Sequence, residues 1–143
     1  MKSTSGMQNI IFKNNIFYFD SNVKYGIYLE NWYQNGVYGG LGKFVFTNNL
    51  YYTAGSTSNL FHSDFTSQNY STISAWQSAT GYETNSNYAD PLFTNYTAGD
   101  YSLQSGSPAI NSGTFVGLTI DLRCNPVPST SPDIGAFQHF NTQ

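Results

Sequence analysis

Cysteine is nearly absent from the sequence. The one thiol, Cys124, cannot close an internal disulfide, so no disulfide framework holds the chain together. With no histidine near it in sequence, it reads as a buried or partly buried thiol rather than a nucleophile. Charge is also scarce. Only 9% of residues are Asp, Glu, Lys or Arg, against about 25% in an average globular protein. The five basic residues, Lys2, Lys13, Lys24, Lys43 and Arg123, are scattered, and the net charge is −3. A nucleic-acid surface needs clustered cations, so no nucleic-acid partner is expected. No apolar run approaches the roughly 18 residues of a membrane-spanning helix. The Met1–Gly6 stretch lacks the apolar core of a signal peptide. Metal, phosphate and dinucleotide fingerprints (CxxC, HExxH, the P-loop, GxGxxG) are missing as well.

The residues that are present point to a β protein. Asn, Ser and Thr number 16, 17 and 14, while hydrophobic residues make up 39% and aromatics 17% of the 143 residues. Aromatic content this high argues against disorder. The poverty in Glu, Lys, Ala and Leu argues against a coiled coil or helical bundle. One all-β domain with many short strands and turns, spanning residues 1–143, is the expectation.

The most informative feature is an internal repeat. Asn9-Ile10-Ile11-Phe12-Lys13-Asn14-Asn15-Ile16-Phe17-Tyr18 matches Lys43-Phe44-Val45-Phe46-Thr47-Asn48-Asn49-Leu50-Tyr51-Tyr52 at an offset of 34 residues. The offset continues downstream, placing Ile27 on Phe61, Tyr28 on His62 and Glu30 on Asp64. A fixed period of this length suggests a solenoid. Within one period the pattern predicts strands at Ile10–Lys13, Ile16–Phe19 and Tyr25–Glu30. Asn14-Asn15 forms a tight corner, because Asn tolerates left-handed backbone. Asp20–Lys24 is a turn and Asn31–Gly42 a longer loop. Three short strands per turn suit one coil of a parallel β-helix. A meander of hairpins is the competing arrangement, with Asn-Asn as a two-residue β-turn.

In the stacked arrangement, Ile10, Phe12 and Ile16 meet Phe44, Phe46 and Leu50, about 4.8 Å apart. Asn14 or Asn15 then stacks on Asn48 or Asn49, as a ladder of side-chain amides. The predicted coils cover residues 8–65 and a helix-containing connection covers 66–88. The helix runs from a Ser71 or Thr72 cap to Gly81, with Ile73, Trp76 and Ala79 on one face. It is expected to cover an end or flank of the stack. Residues 89–143 form a last coil and an irregular cap.

That last third carries ordered phrases: Ala89-Asp90-Pro91-Leu92-Phe93, Gly99-Asp100-Tyr101-Ser102-Leu103, Gly106-Ser107-Pro108-Ala109-Ile110-Asn111-Ser112-Gly113, Asp121-Leu122-Arg123-Cys124-Asn125-Pro126-Val127-Pro128 and Pro132-Asp133-Ile134-Gly135-Ala136-Phe137. From Trp76 to Phe137 the chain resembles the carboxyl-terminal region of secreted right-handed parallel β-helix proteins of the pectate-lyase-like superfamily. It departs at Asn125, where Gly is common, at Val127, where Arg is common, and at Gln138, in place of a final Glu. The resemblance implies a right-handed parallel β-helix, a short solenoid with a capping helix and an irregular carboxyl-terminal cap. It also implies an extracellular or cell-surface protein that binds or degrades polysaccharide, as a lyase or a glycoside hydrolase. Such enzymes are much longer, so this chain is expected to be the end of one, without a full active site. The phrases themselves read as architecture, with Asp90, Asp100 and Asp133 holding backbone N–H groups in turns.

Candidate chemistry lies near the repeat. Glu30 and Asp64 on neighbouring rungs would repel by about 0.9 kcal/mol in water and about 3.5 kcal/mol at an effective dielectric of 20. A Ca²⁺ ion could relieve that repulsion, which makes these two the candidate metal ligands. Full solvation at strand ends is the alternative. Lys13 and Lys43 are the only lysines near the repeat that could serve as a lyase base, and solvated flanking charges are the plainer reading. His139 reads as exposed, with no partner. The candidate substrate-binding residues are Tyr28, Trp32, Tyr33 and Asn35, since flat rings stack on sugars and amides bond hydroxyls. A non-catalytic module that binds glycans, or that associates end to end through the open first coil, is the alternative to an enzyme.

Overall fold

The computed structural model describes residues 10–20, 22–30, 33–34, 37–38, 44–55 and 59–140. Within them the chain is mostly β, with parallel sheets and one helix. Strands β1 (Ile10–Lys13), β2 (Ile16–Phe19) and β3 (Ile27–Leu29) are followed by a short antiparallel pair, β4 (Tyr33–Gln34) and β5 (Val37–Tyr38). The strand β3 is thus shorter than the expected Tyr25–Glu30, and the Asn31–Gly42 loop carries strands of its own. Next come β6 (Phe44–Thr47), β7 (Leu50–Thr53), β8 (Phe61–Ser63) and β9 (Gln68–Tyr70).

The first three strands lie parallel on the second set, β1 on β6, β2 on β7 and β3 on β8. Ile10 faces Phe44, Ile16 faces Leu50 and Ile27 faces Phe61, so one 34-residue offset governs all three pairings. The strands β1 and β2 pair with different partners, which excludes the hairpin arrangement. Asn14 and Asn48 sit at φ 57° and 52°, the left-handed corners that an Asn accepts at low cost.

Like stacks on like inside. Phe12 lies on Phe46 at 4.8 Å and 5°, and Phe17 on Tyr51 at 4.7 Å and 8°. Each such ring pair adds about 0.5–1.5 kcal/mol beyond the area it buries. Helix α1 (Ile73–Thr80) closes this core from one side. Thr72 caps it by accepting the Ala75 N–H, and Gly81, at φ 72°, ends it. Its Trp76 lies flat on Phe61 at 5.1 Å. Ile73 and Trp76 are buried, whereas Ala79 is exposed, so the packing face is narrower than expected.

A third row follows that the repeat pattern did not reveal. Strand β10 (Asn87–Tyr88) lies parallel on β7, with Asn87 facing Leu50 and Tyr88 facing Tyr51. Thr47 bridges Thr84, and Asn85 repeats the left-handed corner at φ 59°. Thr84-Asn85-Ser86-Asn87-Tyr88 is therefore the structural counterpart of Thr47-Asn48-Asn49-Leu50-Tyr51, at an offset of 37 rather than 34.

The carboxyl-terminal part holds β11 (Phe93–Asn95) and β12 (Asp100–Leu103), paired antiparallel, and then little regular structure. Leu103, Ala109 and Ile134 pack with Leu50 into a second buried cluster. Segment 112–114 straps the corners of the repeat. Asn14 donates to the Thr114 carbonyl at 2.6 Å and accepts the Thr114 N–H at 2.9 Å, while Asn48 donates to the Ser112 carbonyl at 3.1 Å. Gly113 is required there, because a Cβ would stand 2.8 Å from the Pro132 carbonyl. Asp90 and Asp100 hold the N–H groups of Leu92 and Ser102 within their own turns, as expected, whereas Asp133 holds the N–H of Asn111, 22 residues away, and so clamps two segments rather than a turn.

Two expectations are corrected here. Cys124 is exposed, not buried, in a surface turn where its N–H donates to the Asp121 carbonyl at 3.0 Å. His139 is half-buried and partnered: its ring Nδ1 lies 2.9 Å from the Leu103 carbonyl and its N–H donates to Asp133. A chain reversal that is invisible in the sequence brings residues 103, 133 and 139 together.

Candidate functional site

The outer face of β3 and β8 carries a cluster of chemically capable side chains. Tyr28 and His62 are register partners, and the pleat points both away from the core. Their rings stack at 4.6 Å, and Tyr25 lies 5.3 Å from Tyr28 and 5.0 Å from His62. Lys24 places its ammonium 5.2 Å above the Tyr25 ring. About half of the Tyr28 surface is open to solvent.

Hydrogen bonds fix the cluster. Asp64 Oδ1 accepts from the Tyr28 hydroxyl at 2.8 Å and lies 2.8 Å from His62 Nε2. A carboxylate has no proton to give, so Nε2 carries the hydrogen. Nδ1 of the same ring faces the Asn69 side chain of β9 at 2.5 Å. The Tyr28 hydroxyl is shifted upward, first by its hydrogen bond to Asp64, then by burial and by the negative charges of Asp64 and Glu30. The cluster offers flat ring surface, flanked by a carboxylate, an imidazole and an amide.

Glu30 and Asp64 do come into one neighbourhood. The Asp64 N–H donates to the Leu29 carbonyl at 3.0 Å, and both carboxylates act on Tyr28. Among the described residues, no group of three or more His, Cys, Asp or Glu gathers around a common point. Tyr33 lies on β4 opposite Tyr38. Trp32, Asn35 and Lys43 lie outside the described residues. Lys13 is exposed.

The Asn ladder forms through one member of each pair. The Asn15 N–H and Nδ2 both donate to Asn49 Oδ1, at 3.0 and 3.2 Å. Asn49 Nδ2 donates in turn to the Phe12 carbonyl and to Glu83 Oε2, at 3.1 and 3.0 Å. Asn14 and Asn48 instead reach sideways to the strap. Glu83 is fully buried at the third rung, where the earlier rungs hold Phe12 and Phe46. Its carboxylate accepts from Tyr51 at 2.5 Å and from Ser86 at 2.6 Å. Burial first, and then the charge of Glu83, drive the Tyr51 hydroxyl strongly upward. A buried carboxylate with three neutral donors is satisfied without a counter-ion. Sequence reasoning missed Glu83 and Asn69. A three-residue gap in the repeat alignment would have placed Glu83, whereas nothing local marks Asn69.

No protein-family model and no curated protein matches the chain.

Proposed function

We propose that this chain is the carboxyl-terminal part of an extracellular or cell-surface right-handed parallel β-helix protein that binds or degrades polysaccharide. The segment contributes glycan contacts and lacks a full lyase or hydrolase active site. The constant offset of three parallel pairings and the like-on-like stacking support the finer fold. The solvent-facing Tyr25–Tyr28–His62 surface, fixed by Asp64 and Asn69, is the observation that supports glycan binding. Rings of this kind cover the C–H face of a sugar, and the polar rim bonds its hydroxyls. Ca²⁺ bound between Glu30 and Asp64 belongs to the same proposal, and it would compete with the Tyr28 and His62 contacts of Asp64.

Affinity electrophoresis in gels containing xylan, pectin or alginate, with and without Ca²⁺, tests this reading. Retardation by at least one glycan that is lost in Tyr28→Ala and Trp32→Ala supports it. Unretarded migration in every gel overturns it. Release of unsaturated or reducing ends would add catalysis.

A second reading is association through the first strands. Among the described residues, β1, β2 and β3 have no strand beside them on the side away from β6, β7 and β8. The other side is covered by β9, β10 and α1. With one end covered, pairing of free edges produces a closed two-fold dimer rather than a filament. Light scattering after gel filtration distinguishes dimer from monomer.

A further inference from the structure

The sheet formed by β2, β7 and β10 carries a second aromatic surface. By the alternation of the strands, Phe17 and Tyr51 enter the core and Tyr18 and Tyr52 face outward. Tyr96, Tyr18, Tyr52 and Tyr88 form a continuous row across the strands, with ring centres 4.9, 5.4 and 6.2 Å apart. Their planes are tilted by 43°, 45° and 42° from one ring to the next. The core stacks, at 5° and 8°, lay each ring flat on its partner. The outer row fans open instead, and Tyr88 and Tyr96 remain 40% and 37% exposed. Tyr18 and Tyr52 between them are half-buried, and contiguous aromatic surface open at its ends marks a contact site more often than scattered single residues do.

Asp90 defines the chemistry of the row. It lies two residues beyond β10, its Oδ1 accepts the Leu92 N–H at 2.8 Å, and its negative charge is the main reason the Tyr52 hydroxyl is shifted upward. Tyr18 is pushed up to about 12, by burial first, with the neighbouring Tyr96 and then Asp90 adding to the effect. At Tyr18 the row borders a cleft of about 810 Å³ between β2 and segment 116–122. That volume lies within the roughly 300–1,000 Å³ usual for ligand sites. Ile16, Leu103, Leu118 and Ile120 make much of its wall, and Lys13 lies along it. Arg123 is occupied, bound to Asp100 at 3.2 Å and lying over Phe137.

We propose that the Tyr96–Tyr18–Tyr52–Tyr88 row, with Asp90, binds a glycan chain that carries hydroxyl or amino donors and no carboxylate. The inference rests on the glycan-binding reading above and deepens it by naming the class of sugar. Tilted rings accept sugar faces, and Asp90 accepts a hydroxyl or ammonium hydrogen. A uronate at the same place would set a second negative charge beside Asp90.

The test is calorimetric titration with xylohexaose, fully deacetylated chitohexaose and hexagalacturonate. Wild type, Tyr28→Ala, and Tyr28→Ala combined with Tyr52→Ala, Tyr52→Phe or Asp90→Asn are compared. The expected result is that the neutral or the amino oligosaccharide still binds in Tyr28→Ala. Adding Tyr52→Ala then weakens it by about tenfold or more, and Tyr52→Phe, which keeps the ring, weakens it less. Adding Asp90→Asn lowers the amino sugar most and relieves the exclusion of hexagalacturonate. Tightest binding of hexagalacturonate, or equal affinity with and without Tyr52→Ala in a variant that melts like its parent, overturns the proposal. Loss of all binding in Tyr28→Ala alone leaves the first site standing and removes this one. Absence of binding in wild type removes both.

Discussion

The repeat region, residues 10–70, and the carboxyl-terminal region, residues 89–140, are held by different forces. In the repeat, backbone ladders and stacked rings set the structure, and equivalent residues meet at one register. In the carboxyl-terminal region the order comes from single side chains clamping the backbone. Asp121 alone accepts the N–H groups of Arg123, Asn125 and Gln138. Gln138, which departs from the resembled pattern, accepts the Asp133 N–H at 3.0 Å. The first region depends on apolar burial and the second on ionised carboxylates. Perturbations should therefore separate them.

The largest effect is expected at the end of the ring stack. Trp76→Ala removes the ring that covers Phe61 and should cost about 3–5 kcal/mol in urea unfolding. Asn49→Ala comes next, at about 3 kcal/mol, because it removes at once the partner of half-buried groups of Phe12 and Asn15 and of the buried Glu83 carboxylate. Asn14→Ala, whose partners are half-buried strap peptides, should cost only about 1 kcal/mol. Equal losses from the two Asn variants would erase the distinction between ladder and strap. Thr72→Ala, which removes only the helix cap, should also cost about 1 kcal/mol.

Acid should loosen the carboxyl-terminal region first. Asp100 is held below its ordinary range by hydrogen bonds from Ser102, with Arg123 adding. At Asp121 burial acts in the opposite direction, but the N–H groups of Gln138, Asn125 and Arg123, together with the Asn125 side chain, outweigh it. A carboxyl lowered in the folded state contributes stability above its unfolded value, about 3.9, and loses it as pH falls through the folded value. Methyl NMR signals of Ile134 and Ile120 should therefore broaden or shift before those of Ile10 and Ile27 below about pH 4. Simultaneous change across all four would contradict the separation.

The repeat was legible because every rung buries the same kind of residue at the same place. Asn9–Tyr18 and Lys43–Tyr52 therefore kept each other's spelling. The outer pairing of Tyr28 with His62, and its Asp64, followed from the same offset. The third rung was hidden because α1 enters before it. Glu83 there replaces a Phe, a charge at a core position that no hydrophobic pattern would place. Asn69 and His139 were illegible for a different reason. Each gains its partner through a reversal of the chain, and their neighbours in sequence say nothing about it. The tyrosine row was spelled out in Tyr18 and Tyr52, but Tyr96 and Asp90 join it from a region whose path periodicity does not set.

All of this depends on Ile10–Phe19 and Phe44–Thr53 lying side by side and parallel. Disulfide trapping in a Cys124→Ser background tests that directly. Ile11 and Val45 are exposed register partners, on strands about 4.8 Å apart, within reach of a disulfide. Ile11→Cys with Val45→Cys should cross-link on mild oxidation, and Ile11→Cys with Tyr18→Cys should not. The opposite outcome would mean that Asn14-Asn15 turns a hairpin, and the parallel stack and both ring surfaces built on it would be wrong.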